Sequence, residues 1–379
     1  MTHALESARF RALQVALEAP AGGIRFVRAP GRVNLIGDHT DYQDGLCLPI
    51  AIDRDVLVGF RPRSDDVVRV QSLDLDTEIE LAPPADGATI AGVEPWARPI
   101  AATIEWLSRR SPVPFRGFDA AVTSTVPIGA GLSSSAAFEV GVAMVAATVN
   151  DVHLAATELA LAAQEIEHLA SGVPCGIMDQ LTSVGGVAGS ALLLDCRTLG
   201  ITNVPIPTTA GVLVAHSGVE RQLVTSEYAQ RRAACEAAAA RLGLPTLRDA
   251  TIEEVADDPI ARHVVTENAR VAAFANALEH GDLETAGTLM LASHQSLRDD
   301  FGVSTAELDL LVELSIGAGS FGARLTGAGF GGCIVALAPR DDLERIAAEV
   351  TGRYRSQTGR EANAFVVSAV DGAGLVEPS

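Results

Sequence analysis

The sequence contains no lysine, so every positively charged side chain other than histidine is an arginine. This absence excludes mechanisms that depend on a lysine, including a Walker-type phosphate loop and a Schiff base. An anionic substrate must therefore be bound by arginine, by the N-termini of helices or by a metal ion.

Positive charge is scarce overall, because 28 arginines face 48 acidic residues and the formal net charge is −20. Nucleic acids and anionic membrane surfaces are bound through clustered positive charge, which displaces their counterions. We therefore expect neither of them as a partner.

Long hydrophobic runs and paired cysteines are also missing. The longest apolar stretch, residues 140–149, is well short of the roughly 18 residues of a membrane span and predicts a buried helix. The first 20 residues mix charged and apolar side chains and do not have the pattern of a signal peptide, so we expect a cytoplasmic protein. Five scattered cysteines without Cys-x-x-Cys spacing indicate free thiols, not a disulfide framework or a zinc site.

The pattern of strands and helices predicts an α+β protein. Apolar β-type runs and amphipathic spacing predict strands at 56–60, 67–70, 118–123 and 333–337 and helices at 154–170, 226–242, 262–279 and 306–316. The length of 379 residues suits two domains. We place their boundary near residue 200, which gives domains at 1–200 and 201–379.

A first chemically distinctive segment is PGRVNLIGDHTDY at residues 30–42. Its polar and ionisable side chains crowd between glycine turns, and burying them is costly unless each finds a partner or a ligand. A polyhydroxylated ligand would supply such partners, whereas a solvated loop with a salt bridge is the alternative interpretation.

A second segment, PIGAGLSSSAA at residues 127–137, lies between a predicted strand and an apolar helix. Glycines let the backbone approach a ligand closely, and a helix that begins among the serines directs free N–H groups toward an anion. This arrangement predicts an anion site without lysine. An ordinary serine cap on a core helix remains the alternative.

A third segment, GARLTGAGFGGC at residues 322–333, has five glycines before a strand. We expect a glycine-rich turn whose backbone bends sharply or packs against a close neighbour. The segment does not fit a dinucleotide-binding fingerprint, because its glycines precede a strand and do not join a strand to a helix.

Together, and in this order, the three segments resemble the three motifs of the GHMP kinases, and the first is the galactokinase signature nearly letter for letter. A fourth segment, GVPCGIMDQ at residues 172–180, is similar to the galactokinase active-site segment. The resemblance implies the two-domain GHMP kinase fold, with a ribosomal S5-like N-terminal domain, a ferredoxin-like C-terminal domain and the active site in the cleft between them.

The same resemblance implies transfer of the γ-phosphate of ATP to the C1 hydroxyl of galactose. Asp179 would lie beside that hydroxyl as the candidate general base, and Arg32 would pair with Asp179 and with the transferred phosphate. The chemistry is reasonable, because a carboxylate can accept the hydroxyl proton while an arginine keeps it ionised and offsets phosphoryl charge.

The resemblance also assigns the nucleotide and its metal. The ATP phosphates would be wrapped by the loop and helix start formed by Gly129, Ala130, Gly131, Leu132, Ser133, Ser134, Ser135 and Ala136. Trp96 corresponds to a position that lines the adenine pocket. Ser134 and Glu167 match the magnesium ligands, with Ser133 as the neighbouring alternative to Ser134, and one hydroxyl plus one carboxylate suits Mg²⁺.

The sugar hydroxyls would be bound by side chains of the first segment and by two later positions. These residues are Asp38, His39, Asp41, Gly176 and Tyr228, together with the catalytic Asp179. The galactokinase signature normally has glutamate where this chain has Asp38, so the reach to one hydroxyl is shorter by one methylene. We still expect activity with galactose, because a change of this size shifts selectivity by only about 1–3 kcal/mol.

Two other functions stay open at this point. A related kinase could act at C1 of N-acetylgalactosamine or of a pentose such as arabinose, and the Thr40-Asp41-Tyr42 triplet favours galactose. A sensor that binds ATP and galactose without catalysis is the second alternative, but it is disfavoured by the intact residues 131–137 and by the presence of Arg32 and Asp179. We expect a monomer.

Overall fold

The computed structural model describes residues 2–18, 23–111, 113–127, 129–219 and 224–378. Its helices are α1 (Thr2–Ala16), α2 (Gly87–Gly92), α3 (Arg98–Arg110), α4 (Ser134–Val149), α5 (Ala156–Ser171), α6 (Met178–Gly185), α7 (Val224–Leu242), α8 (Pro259–Glu279), α9 (Leu283–Asp299), α10 (Ala306–Gly317) and α11 (Leu343–Thr358). Its strands are β1 (Arg25–Asn34), β2 (Leu46–Cys47), β3 (Pro49–Pro62), β4 (Val68–Ser72), β5 (Thr77–Leu81), β6 (Phe118–Ser124), β7 (Ser190–Asp195), β8 (Gly200–Pro205), β9 (Ala210–His216), β10 (Gly322–Thr326), β11 (Cys333–Pro339), β12 (Asn363–Val367) and β13 (Gly374–Val376).

The first half of the chain is built on a six-stranded sheet with the order β13-β1-β3-β6-β4-β5. Side chains alternate between its two faces, as the pleat of a strand requires. Val56, Val58 and Phe60 of β3 join the core beneath α3, α4 and α5, whereas Leu57 faces the opposite side and packs against α1. The helices that carry the second and fourth segments are therefore fixed to one face of this sheet.

The second half is built on a four-stranded antiparallel sheet with the order β10-β11-β9-β12. Helices α7, α8, α10 and α11 supply its core, together with the buried side chains of Leu325 and Ile334. A third, smaller sheet has the order β2-β7-β8. The α+β class expected from the sequence is confirmed.

The eight predicted elements all overlap observed ones, and the apolar stretch 140–149 lies in α4. The segment 322–332 is not a turn throughout, because Gly322–Thr326 forms strand β10, and at Gly322 the expected packing against a close neighbour applies. A Cβ on Gly322 would lie 2.4 Å from the Cα of Gly287 in α9. Gly322 therefore serves close packing of a strand on a helix, and a turn is not what requires it.

Some features cross the expected domain boundary near residue 200. Strand β13 at the end of the chain pairs with β1 of the first sheet, and the β7–β8 hairpin spans residues 190–205. The division into 1–200 and 201–379 stays a prediction. Among the described residues, no helix is long and apolar enough to cross a membrane, and all five cysteines are free thiols.

Candidate active site

A cavity with a volume of about 470 Å³ lies between the two halves of the chain. It brings together predicted residues that are separated by almost 200 positions in the sequence. Its walls include Arg32, Asp38, His39, Asp41, Gly129, Gly131, Ser133, Ser134, Ser135, Glu167, Gly176, Asp179 and Tyr228, with Gly327 and Ala328 from the third segment. All four sequence segments therefore meet at one site.

Arg32 and Asp179 form a bidentate ion pair at the centre of this cavity. Arg32 Nε donates to Asp179 Oδ1 at 2.8 Å, and Arg32 Nη2 donates to Asp179 Oδ2 at 3.0 Å. Arg32 lies near the end of β1, just after a register shift between Pro30 and Arg32, and Asp179 lies in the first turn of α6. A bidentate arginine fork fixes both the position and the orientation of a carboxylate.

The pair is tied to the glycine-serine loop of the second segment. Arg32 Nη1 donates to the carbonyl of Gly131 at 2.7 Å, and the Arg32 N–H donates to the carbonyl of Leu132 at 3.0 Å. The Ser133 hydroxyl donates to Asp179 Oδ2. The glycine-serine loop and the candidate base are thus held by the same arginine.

The loop leads directly into the N-terminus of a 16-residue helix. Gly129 and Gly131 have φ values of 75° and 77°, and Ser133 has a left-handed φ of 58° before α4 begins at Ser134. The first N–H groups of such a helix have no partner within the helix and attract an anion. The predicted helix start among the serines is confirmed.

Four predicted nucleotide-binding residues do not line this cavity with their side chains. Ala130, Leu132 and Ala136 are buried in the core. Trp96 is half-buried against the core of the first sheet, and its Nε1 donates to Glu94 at 3.1 Å. Their roles in binding ATP stay predictions.

One wall of the cavity depends on close contact between Asp41 and Gly176. A Cβ added to Gly176 would lie 1.7 Å from Asp41 Oδ2, so a larger residue fits there only if the Asp41 side chain moves. Tyr228 also lines the cavity. The three predicted residues therefore lie at one site.

Burial changes the ionisation of two side chains at this wall. Burial and the nearby carboxylates of Asp179 and Asp38 raise the pKa of Asp41 to about 7. Burial lowers the pKa of His39 to about 4, so the imidazole is neutral at pH 7. His39 Nε2 lies 3.1 Å from the carbonyl of Ala328, and its Nδ1 lies 2.9 Å from the Tyr42 hydroxyl. In the neutral ring Nε2 therefore donates to the carbonyl and Nδ1 accepts from the hydroxyl.

Glu167 lies beside a second buried acid, Glu139. Glu167 Oε2 accepts from Gln180 Nε2 at 2.5 Å and from the Cys175 thiol at 3.2 Å. Glu139 is 2% exposed, and its Oε2 has no hydrogen-bond partner in the described part of the chain. Burial, followed by repulsion from neighbouring carboxylates, raises the pKa values of both glutamates. A cation close to these acids would relieve that repulsion.

The residues present fit a magnesium ion only if the nucleotide supplies further ligands. Across the described residues, no group of three or more His, Cys, Asp or Glu side chains is arranged to hold a metal. Mg²⁺ usually takes one or two protein oxygens and completes its shell with phosphate oxygens and water. Glu167 and Ser134 both line the cavity and are compatible with that requirement.

Sequence reasoning missed several residues that shape the site. Arg324 and Glu267 are fully buried next to Asp38, and Gln180 and Glu139 stand behind Glu167. Arg324 is part of the third segment and could have been singled out as a charged residue among glycines. Glu267 and Glu139 lie within helices and give no such signal, because a glutamate in a helix usually faces solvent.

Comparison with known proteins agrees with this geometry. The galactokinase galactose-binding signature matches residues 17–62, the GHMP kinase N-terminal domain matches residues 98–187, and the GHMP kinase C-terminal domain matches residues 274–356. The three matches include the first and second segments and the third segment with its glycines.

Two curated galactokinases and two solved structures illustrate the likeness. The galactokinase of Chloroflexus aurantiacus is 46% identical over 94% of both chains, and that of a Roseiflexus species is 45% identical over 92% of both. The structure of Lactococcus lactis galactokinase complexed with galactose is 30% identical, has a TM-score of 0.90 and covers 98% of this chain and 99% of that one. Methanococcus jannaschii mevalonate kinase, at 19% identity and a TM-score of 0.68 over 93% and 100% of the chains, shares the fold. By its sequence, its fold and the residues at its cleft, the chain belongs to the galactokinase family of the GHMP kinases.

Proposed function

We propose that this chain phosphorylates galactose at its C1 hydroxyl with ATP. The observation that supports this most directly is the Arg32–Asp179 pair, which contacts the glycine-serine loop and faces the same cavity as Asp41 and Gly176. A nucleotide-phosphate site and a hydroxyl-binding site thus share one wall. The galactokinases named above and the galactose-bound Lactococcus lactis structure agree with the choice of sugar.

In this proposal the loop 129–135 and the N-terminus of α4 bind the phosphates of ATP. The helix N-terminus provides partial positive charge and free N–H groups, which replaces the lysine that this sequence lacks. Arg32 adds a full positive charge near the transferred phosphoryl group. Both features stabilise charge that builds on the phosphoryl oxygens in the transition state.

The sugar would lie against Asp38, His39, Asp41, Gly176 and Tyr228, with its C1 hydroxyl toward Asp179. A bond forms between the C1 oxygen and the γ-phosphorus while the bond from that phosphorus to the bridging oxygen of ADP breaks. The hydroxyl proton passes to the Asp179 carboxylate, and the products are galactose 1-phosphate and ADP. Because Arg32 and Ser133 already fix both oxygens of Asp179, its orientation is set before the sugar arrives.

Magnesium, held by Ser134 and Glu167, would neutralise charge on the β- and γ-phosphates. Within the chain itself, Gln180 and Cys175 keep the Glu167 carboxylate in place by hydrogen bonds to Oε2. Glu139 contributes a second buried carboxyl group behind it.

The test is a coupled assay of ADP release with purified protein, ATP, Mg²⁺ and one sugar at a time. We expect turnover with galactose and weaker or no turnover with N-acetylgalactosamine and arabinose. Absence of ATP-dependent turnover with galactose would contradict the proposal, and a clear preference for either other sugar would replace the substrate. Mass spectrometry of the product, with a C1-blocked methyl galactoside as control, identifies the phosphorylated hydroxyl.

A further inference from the structure

Arg324 is a fully buried charge that lies just outside the cavity. It is on β10, the edge strand of the second sheet, and its side chain is 0% exposed. Its Nη2 lies 2.6 Å from Asp38 Oδ2 and 3.9 Å from Glu267 Oε1. None of its three side-chain nitrogens has a hydrogen-bond partner among the described residues, so its contact with Asp38 is an ion pair. Two carboxylates from other parts of the chain therefore offset its charge.

Asp38 links this arginine to the wall of the cavity. Its side chain is 2% exposed, and its Oδ1 accepts from the Gly327 N–H at 3.1 Å. Gly327 and Asp38 both border the cavity. A carboxylate whose two oxygens are held by partners from the second half of the chain cannot change its position independently of that half.

Further contacts join the residues around Asp38 to the residues around Gly327, in the same order along both stretches of the chain. The Asn34 N–H donates to Thr326 Oγ1 at 3.1 Å, and Thr326 Oγ1 donates to the Asn34 carbonyl at 2.9 Å. Residues 326, 327 and 328 thus contact residues 34, 38 and 39 in turn. We call residues 34–41 the sugar loop and residues 326–332 the glycine segment. The glycine segment therefore packs against the sugar loop and holds it by these hydrogen bonds.

The second carboxylate holds the same loop from another side. Glu267 Oε1 accepts from the Gly37 N–H at 3.0 Å and from the Ser293 hydroxyl at 2.5 Å. Gly37 has a φ of 99°, and a Cβ there would clash with the backbone at Leu46 and Cys47. Arg324 lies between the carboxylate that holds Gly37 and the carboxylate that holds Gly327.

We propose that Arg324 is a positioning residue that fixes Asp38 against the glycine segment and thereby sets the affinity for the sugar, without a role in ATP binding or phosphoryl transfer. The inference rests on the proposed function, because it assumes that the sugar occupies the wall formed by Asp38 and Asp41. Arg324 is outside the cavity and acts only through Asp38. A buried ion pair adds little stability compared with apolar packing, so a role in fixing one arrangement explains its presence better than stability does.

The experiment compares Arg324→Gln, Asp38→Asn and the double variant with the unmodified enzyme. We expect Arg324→Gln to raise the KM for galactose at least tenfold while the KM for ATP stays within twofold and kcat within about threefold. The double variant should be no worse than the poorer single variant, because both changes break one interaction. Equal rises in both KM values, or additive effects of the two substitutions, would overturn the inference.

Arg324→Lys provides a second measurement that does not depend on the glutamine variant being soluble. Lysine keeps the charge but loses the planar fork, and we expect a galactose KM raised threefold to tenfold with a melting temperature close to that of the unmodified enzyme. A folded lysine variant with an unchanged galactose KM would overturn the inference.

Two controls separate the possible explanations. Arg9→Gln breaks a partly buried ion pair with Asp55, at 2.7 Å and away from the cavity, and should lower stability without changing either KM. Asp41→Ala tests whether the wall formed by Asp38 and Asp41 binds galactose, because it removes one of the two carboxylates. If Asp41→Ala weakens galactose binding and the Arg324 variants do not, only this inference fails. If none of them changes the galactose KM, the proposed sugar site fails as well.

Discussion

Two arginine–aspartate pairs each place their aspartate at the same cavity but differ in their exposure to solvent. The Arg32–Asp179 pair is bidentate, and the Asp179 side chain is 29% exposed. The Arg324–Asp38 pair is closed off, with side-chain exposures of 0% and 2%. The same two residue types therefore give one carboxylate that a substrate can reach from solvent and one that is held almost entirely by protein.

The difference shows how position decides the use of a charge pair. A reactive carboxylate must reach the substrate and exchange a proton, so part of its surface has to stay open. A carboxylate that fixes a loop works best when no water competes for its hydrogen bonds. We therefore expect substitutions in the more exposed Arg32–Asp179 pair to affect catalysis. Substitutions in the buried Arg324–Asp38 pair should affect stability and sugar affinity.

Asp179→Asn should have the largest effect. The amide keeps the shape of the side chain but cannot accept the hydroxyl proton, so kcat should fall about 10²–10⁴-fold while the KM for ATP changes little. Steady-state kinetics measures the loss, and calorimetric binding of galactose confirms that the site is intact. Full activity of this variant would remove Asp179 from the chemistry and erase the difference between the two pairs.

Asp38→Ala should have the next largest effect. It leaves Arg324 buried without its nearest carboxylate, which should cost about 3–5 kcal/mol of folding free energy. Asp179→Ala, in the more exposed pair, should cost far less. Thermal unfolding of both variants at pH 7 measures the contrast. Equal losses of melting temperature would show that exposure does not distinguish the pairs.

Gly176→Ala should weaken sugar binding more moderately. The added Cβ would lie 1.7 Å from Asp41 Oδ2, so the Asp41 side chain must move and the KM for galactose should rise at least tenfold, about 1.4 kcal/mol. The KM for ATP should not change. Gly352→Ala is the matched control, because its Cβ would have no neighbour within 4 Å. A rise in the KM for ATP of the same size would contradict the assignment of this wall to the sugar.

Asp41 should make the folding stability depend on pH. Because burial and nearby carboxylates raise its pKa from 3.8 to about 7, folding takes up a proton there and its contribution to stability is lost as pH rises through that range. Asp41→Asn removes this titration. The folding stability of this variant relative to the unmodified enzyme should therefore be greater at pH 8 than at pH 5, by at most about 3 kcal/mol of folding free energy. Melting temperatures of both proteins at the two pH values measure this difference.

The control for Asp41 is Asp66→Asn, since Asp66 is exposed. It should give the same difference in melting temperature at both pH values. A constant difference for Asp41→Asn as well would contradict the raised pKa.

The sequence was most informative where the site residues lie in continuous segments. Arg32, Asp179 and the loop at 129–135 were identified before the fold was known, and the structure places them in contact. For the glycines of the third segment the sequence predicts either a sharp bend or packing against a close neighbour. At Gly322 the structure shows close packing on α9, and the strand that contains it is not predicted by the sequence.

Contacts between distant residues could not be predicted in the same way. Asp38 meets Arg324 and Gly327, almost 290 positions away, and Gly37 meets Glu267, 230 positions away. Neither spacing nor residue type indicates such pairs, because each partner alone has the pattern of an ordinary polar residue. The consequence of aspartate at position 38 is likewise visible only once Arg324 is seen beside it.

The sequence by itself determined the α+β class, the exclusion of lysine-dependent mechanisms and the four segments that line the cavity, because these depend on local backbone needs and residue type. Only the tertiary structure decided which arginine neutralises which aspartate and how exposed each pair is. The exposure of each ion pair depends on how the two halves of the chain pack against each other. That packing is fixed by the contacts of many residues together, so no single motif predicts it.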